Sequence, residues 1–178
     1  NITANRKIIF IGRNEERKGF KELIAAINKF DIKIPLEFHF IGPNLKSENL
    51  IKNDLSVKFY GLIKDDDIKK QIIDECDVLI CPSFSEGMPN VILEAMSRGL
   101  AVIASKAGAT SLLVDNDNGI LIDKITVLNI HDSLIMINNM NEKDLYLKKL
   151  NSLKKIKNFS WEIVINHVSN MIKGSNYS

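Results

Sequence analysis

Six short, nearly unbroken apolar runs, set between longer amphipathic segments, constrain this 178-residue chain most. They are 7–12 (KIIFIG), 36–42 (LEFHFIG), 57–61 (VKFYG), 78–83 (VLICPS), 101–105 (AVIAS) and 119–123 (GILID). A strand that is apolar at almost every position is covered on both faces, and helices between parallel strands supply the cover. The intervening segments fit that role. Phe20, Leu23, Ile24 and Ile27 recur at helical spacing within 19–30, and Ile68, Ile72 and Ile73 share one face of 65–75. A third helix is predicted over 89–98. The fold class read from this pattern is α/β: a doubly wound, Rossmann-like parallel sheet of about six strands with helices on both faces. From 126 to 178 no strand pattern remains, and the segment reads as a helical tail. No repeat or linker divides the chain, so 1–178 reads as one domain. In such sheets ligands bind at the carboxyl ends of the strands. The loops after Gly12, Gly42, Gly61 and Ser83 are therefore the places to search.

Bulk properties remove several classes. A net charge of +2 gives no broad basic footprint for nucleic acid. No run approaches the roughly 18–20 apolar residues of a membrane-spanning helix. Cys76 and Cys81 are the only cysteines; their spacing fits no zinc pattern and builds no disulfide framework. A reducing, cytoplasmic compartment is the expectation. The chain starts at Asn1, without an apolar leader, and enters a strand near Lys7. That start reads as a cut just upstream of a domain.

The stretch 83–105 (SFSEGMPNVILEAMSRGLAVIAS) carries the most chemistry. A strand ends, a loop brings Glu86 and Gly87, and a helix is expected to open at Pro89, a residue favoured in the first helical position. Gly87 lets backbone approach a ligand closely. Asn90 and Val91 then offer free N–H groups at a helix N-terminus, which suits a phosphate. Glu86 and Glu94 flank this anion site. Carboxylates beside a phosphate are repelled by it, but they can accept hydrogen bonds from neutral hydroxyls. A ligand with a phosphate between hydroxyl-rich rings meets both demands: a nucleoside diphosphate sugar. The competing reading is a loop glutamate and a solvated helix glutamate. In the stretch 10–20 (FIGRNEERKGF), Gly12 ends a strand at the same sheet edge, and Arg13 and Lys18 are suited to a diphosphate. Ordinary exposed charges, balanced by Glu15 and Glu16, are the alternative there.

These stretches resemble the C-terminal domain of GT-B glycosyltransferases of family 4 (glycosyl transferases group 1). The resemblance rests on EGMPN-x4-EAM at 86–96, GR-x4-KG at 12–19, IGP at 41–43, VKFYG at 57–61 and FSWE at 159–162, and spans about 7–172. It implies that Arg13, Lys18 and Glu86 serve the reaction centre, the first two on the donor diphosphate and Glu86 on the sugar hydroxyls. Glu94 would hold the ribose. Gly12, Gly42, Gly87, Met88, Pro89, Asn90 and Val91 would line the donor, and Leu62 and Ile63 would pack near the base.

The resemblance further implies retaining transfer of a hexosyl group to a saccharide or lipid-linked acceptor, in surface polysaccharide or glycolipid synthesis. The donor would be a nucleotide sugar, UDP-sugar favoured over GDP-sugar, with no essential cofactor and no metal. The acceptor would be read by an N-terminal domain that this chain lacks, leaving the chain inactive alone. The full-length protein would be cytoplasmic, with peripheral association at the inner membrane face. A nucleotide-sugar epimerase, a sugar phosphorylase and a non-catalytic nucleotide-sugar-binding module are the alternatives. One departure stands out: the family often has Gly-Gly-x-x-Glu where this chain has Ala107-Gly108-Ala109-Thr110-Ser111. The helix over 159–172 would cross towards the N-terminal domain, which raises the question whether Trp161 is exposed.

Other features read as structural. Asp65-Asp66-Asp67 opens a helix, where acids cap the first turn and suit its dipole. His39, His131 and His167 have no partner at ligand spacing. Cys81 sits in an apolar strand and reads as a core residue. Gly12 and Gly19 do not make the dinucleotide-binding glycine pattern. The basic run 148–157 (KKLNSLKKIK) reads as a solvated helix face, with a membrane-surface role as the minority reading.

Overall fold

The computed structural model describes residues 5–30, 35–45 and 55–159. Its strands are β1 (Arg6–Ile11), β2 (Leu36–Ile41), β3 (Ser56–Gly61), β4 (Val78–Cys81), β5 (Ala101–Ser105) and β6 (Gly119–Ile122). The helices are α1 (Phe20–Ile27), α2 (Asp66–Asp74), α3 (Asn90–Ser97), α4 (Thr110–Leu113), α5 (Val127–Asn139) and α6 (Glu142–Ile156). The six strands form one sheet in the order β3-β2-β1-β4-β5-β6, and every pairing is parallel. The sequence expectation of a doubly wound parallel sheet holds.

Strand alternation sends side chains to two separate cores. Ile8 and Phe10 of β1, Val78 and Ile80 of β4, and Ala101 and Ile103 of β5 face one layer, where α1 and α5 pack. Ile9, Leu79, Val102 and Ala104 face the other, with Ile73 of α2 and Ile92, Ala95 and Met96 of α3. Phe20 of α1 meets Phe40 edge-on, with ring centroids 5.7 Å apart, and Phe10 at 5.4 Å. Such aromatic contacts fix α1 on the first two strands, and with it the loop that follows β1.

Several boundaries differ from the sequence reading. Strands β1, β2, β4 and β6 stop short of Gly12, Gly42, Pro82 and Asp123, so those residues belong to loops. Helix α3 begins at Asn90, and Pro89 is its cap rather than its first helical residue. Pro89 adopts φ −78° and ψ 88°, which places its carbonyl to accept from Ile92 N–H at 2.9 Å. The short helix α4 has too few residues to show a period, and periodicity did not reveal it.

Within the tail, α5 and α6 are helical as expected. The basic run is not a simple solvated face. Lys149 pairs with Asp77 at 2.8 Å, Lys155 pairs with Asp115 at 2.5 Å, and Lys148 donates to the Asn116 carbonyl. These bonds hold α6 on the domain. Buried Arg6 does the same for α5, donating to the Ile137 and Met140 carbonyls at its C-terminal end. Cations suit that end of a helix. Trp161, Glu162, His167 and all of the predicted helix over 159–172 except Phe159 lie outside the described residues.

Candidate functional site

The strand order reverses between β1 and β4, which makes the crevice beyond their carboxyl ends the natural ligand position in an open sheet. The loops after these two strands carry Arg13, Lys18 and Glu86. Phe84 N–H donates to the Arg17 carbonyl at 2.8 Å, stitching the two loops together. Lys18 Nζ then reaches Glu86 Oε1 at 2.5 Å, with side chains only 18% and 8% exposed. Both chemically committed side chains therefore meet at the predicted edge.

Arg13 stands apart from that pair. Its exposed guanidinium bonds Glu15 Oε1 at 3.3 Å, and Arg17 bonds the other oxygen at 2.8 Å. Desolvation pushes the Glu15 carboxyl up, but the hydrogen bonds and charges of Arg13 and Arg17 together hold it below its ordinary value. Gly12 and Gly42 touch through backbone. Gly42 adopts φ +152°, and a Cβ there would lie 1.7 Å from the Gly12 carbonyl oxygen. The chain can pass this point only with glycine, so Gly42 shapes the edge of the crevice by letting two loops close on each other.

Gly87 differs. A Cβ at this position would meet nothing within 4 Å, and its φ is not in the left-handed region. Packing within the described residues does not require glycine there. Met88 beside it is exposed, Asn90 is exposed and Val91 half-buried. No side chain caps the first turn of α3, so its leading N–H groups remain available to an anion. Glu94 lies one turn further, and Lys69 of α2 reaches its Oε2 at 2.6 Å. Leu62 is 62% exposed, whereas Ile63 is half-buried against the core.

Lys69 escaped the sequence reading. The signal was available in principle: α2 starts just after the β3 loop and packs on the layer that holds α3. Gly108 was also missed as a support of the site. It adopts φ +55°, and a Cβ there would fall 1.7 Å from the Glu86 carbonyl oxygen. Ala109 N–H donates to the Gly87 carbonyl at 3.1 Å. The segment that departs from the family pattern thus braces the Glu86–Gly87 loop, while Ser111 itself is exposed.

The structural readings of the remaining polar residues agree with their surroundings. The Asp65 carboxylate accepts from Asp67 and Ile68 N–H at 2.9 and 3.2 Å, so it caps α2. Buried His39 lies between Glu37 and the Tyr60 hydroxyl. His131 packs its ring on Phe30 with centroids 4.5 Å apart. Cys81 is buried.

Sheet order and a ligand edge of this kind define a Rossmann-like α/β domain, of the sort that makes up half of a GT-B fold. Residues 5–138 match the family Glycosyl transferases group 1, and the chain belongs to that family. It is 31% identical over 160 residues to an uncharacterized glycosyltransferase of Methanocaldococcus jannaschii, covering 86% of this chain and 44% of that protein. The crystal structure of the C-terminal domain of a glycosyl transferase group 1 family protein from Francisella tularensis is 27% identical, with a TM-score of 0.70. It covers 88% of this chain, which in turn covers 86% of that domain. The Anabaena protein HepE, solved in complex with UDP-glucose, shares the fold with a TM-score of 0.73 at 22% identity, over 96% of this chain and 49% of its own. The chain therefore spans about half the length of these full-length proteins.

Proposed function

We propose that this chain is the donor-binding half of a retaining glycosyltransferase of family 4, and that it takes a nucleoside diphosphate sugar in the crevice beyond β1 and β4. The observation that carries the reading is the Lys18–Glu86 pair beside an uncapped α3 N-terminus. A cation, a helix end and a carboxylate together match a diphosphate joined to a hydroxyl-bearing sugar. The open space at Gly87 adds support, because neither packing nor backbone strain explains glycine there.

In this reading Lys18 and the N–H groups of Asn90 and Val91 receive the diphosphate, and Arg13 joins them by leaving Glu15. Glu86 accepts from the sugar hydroxyls and Glu94 from the ribose. Leu62 and Ile63 carry the base, with uracil favoured over guanine. When the anomeric carbon–oxygen bond breaks, negative charge gathers on the leaving phosphate. Preorganised donors then lower the barrier, each by about 3–4 kcal/mol in comparable sites. Lys18, Arg13 and the helix end can neutralise the diphosphate themselves, so the reaction requires no metal or other cofactor.

An N-terminal domain of the full-length protein would supply the saccharide or lipid-linked acceptor, at the cytoplasmic face of a membrane, in surface polysaccharide or glycolipid synthesis. The chain alone would bind donor without turning it over. Thermal melting with UDP, GDP, ADP and their sugars tests the reading. A nucleotide at about 100 times its Kd adds roughly 2.7 kcal/mol of stability. Stabilisation by one nucleotide, lost in Arg13→Ala and Glu94→Ala, is expected; a chain indifferent to every nucleotide would refute donor binding.

A further inference from the structure

Lys69 stands in the first turns of α2, where two features fix its position. Asp65 caps the helix through Asp67 and Ile68 N–H, and Lys69 N–H donates to the Asp65 carbonyl at 3.1 Å. The capped turn follows Leu62 and Ile63 along the chain with only Lys64 between them. Lys69 Nζ extends to Glu94 Oε2 at 2.6 Å, with the two side chains 24% and 31% exposed. Among the described residues no hydrogen bond engages Glu94 Oε1. Glutamate has three rotatable side-chain bonds, so the rigidity of α3 does not by itself aim the carboxylate. A charge-assisted bond to one oxygen does.

We propose that Lys69 is a positioning residue for the donor's ribose: it holds Glu94 by Oε2 and leaves Oε1 turned to the ribose diol. This inference rests on the donor-binding reading above, in which Glu94 receives those hydroxyls.

Calorimetric titration of the wild type, Lys69→Met and Lys69→Arg with UDP and with 2′,3′-dideoxy-UDP tests the proposal. Lys69→Met should raise the Kd for UDP about tenfold, the scale of one weakened charge-assisted bond. It should leave the Kd for the dideoxynucleotide unchanged, because no hydroxyl remains for Glu94 to receive. Lys69→Arg should restore most of the UDP affinity. Equal loss for both nucleotides, or no loss for UDP, would overturn the positioning role. A wild type that binds UDP but does not distinguish it from the dideoxynucleotide would overturn it through Glu94. A wild type that binds none of UDP, GDP or ADP would instead bring down the donor-binding reading itself. Unliganded melting temperatures separate these results from misfolding, and Lys69→Gln, which keeps a donor, replaces the methionine variant if that one melts early.

Discussion

Lys18 Nζ and Glu86 Oε1 stand 2.5 Å apart across 68 residues of sequence. They meet because β1 and β4 are neighbours in the sheet while β2 and β3 turn away to the other side. The reversal of strand order brings together two loops that no local pattern links. Glu86 is the more buried partner, so the lysine supplies most of what compensates its charge.

Removing the lysine should therefore cost more than neutralising the glutamate. Lys18→Met leaves a nearly buried carboxylate unpaired and should lower stability by about 1–3 kcal/mol. Glu86→Gln keeps an acceptor for Lys18 and should cost less. Urea unfolding midpoints of the two variants give the comparison, and the reverse order would contradict the pairing.

Gly108 should behave as part of the site although it lies on another loop. Alanine there is strained at φ +55° and collides with the Glu86 carbonyl. Gly108→Ala should destabilise by about 2–3 kcal/mol and abolish nucleotide-induced stabilisation, whereas exposed Ser111→Ala should change stability by less than about 0.5 kcal/mol. Parallel melts with and without UDP would show both.

Stability should fall on mild acidification through His39. Burial pushes this imidazole below its ordinary value of 6.5, although the Glu37 carboxylate opposes that. The surrounding charges are Glu37, Lys58 and Lys7, with the Tyr60 hydroxyl on its Nδ1. A depressed folded value means that the unfolded chain takes up the proton first as pH drops. Stability is then fully present above about pH 6.5 and is lost as pH falls through the folded value. Hydrogen bonding to Lys58 holds the Glu37 carboxyl low, which adds a loss of the same sign below about pH 4.5. Melting temperatures between pH 5 and 8 should slope downward toward acid in the wild type and flatten in His39→Gln.

Neither cysteine should react in the folded protein. Burial pushes the Cys76 thiol up to about 12 and raises Cys81 as well, and the thiolate is the reactive form. A thiol-specific chromogenic disulfide at pH 8 should label no cysteine in the native chain and two after denaturation. Rapid native labelling would contradict the packing of β4 and α2.

Asp65→Ala should cost about 1 kcal/mol by uncapping α2. If Lys69 positions Glu94 through that capped turn, the same variant should weaken UDP binding without touching the ligand. Denaturation and calorimetry on one sample measure both effects.

Much of the fold was open to reading in the sequence because it follows from local rules. Apolar runs such as 101–105 can only be strands covered twice, and Phe20, Leu23, Ile24 and Ile27 fall on one helical face whatever surrounds them. Glu86, Gly87, Asn90 and Glu94 could be picked out because they share one strand–loop–helix unit. Partnerships between units could not. Lys69 and Glu94 lie 25 residues apart, Arg6 reaches carbonyls 131 and 134 residues away, and the α6 lysines find acids and a carbonyl on two different loops. Periodicity is a property of neighbouring residues, and so the sequence determined the elements long enough to show a period, their parallel sheet and the edge where a ligand is expected. Which charge faces which depends on the order of strands and the seating of helices, and only the tertiary structure decided that.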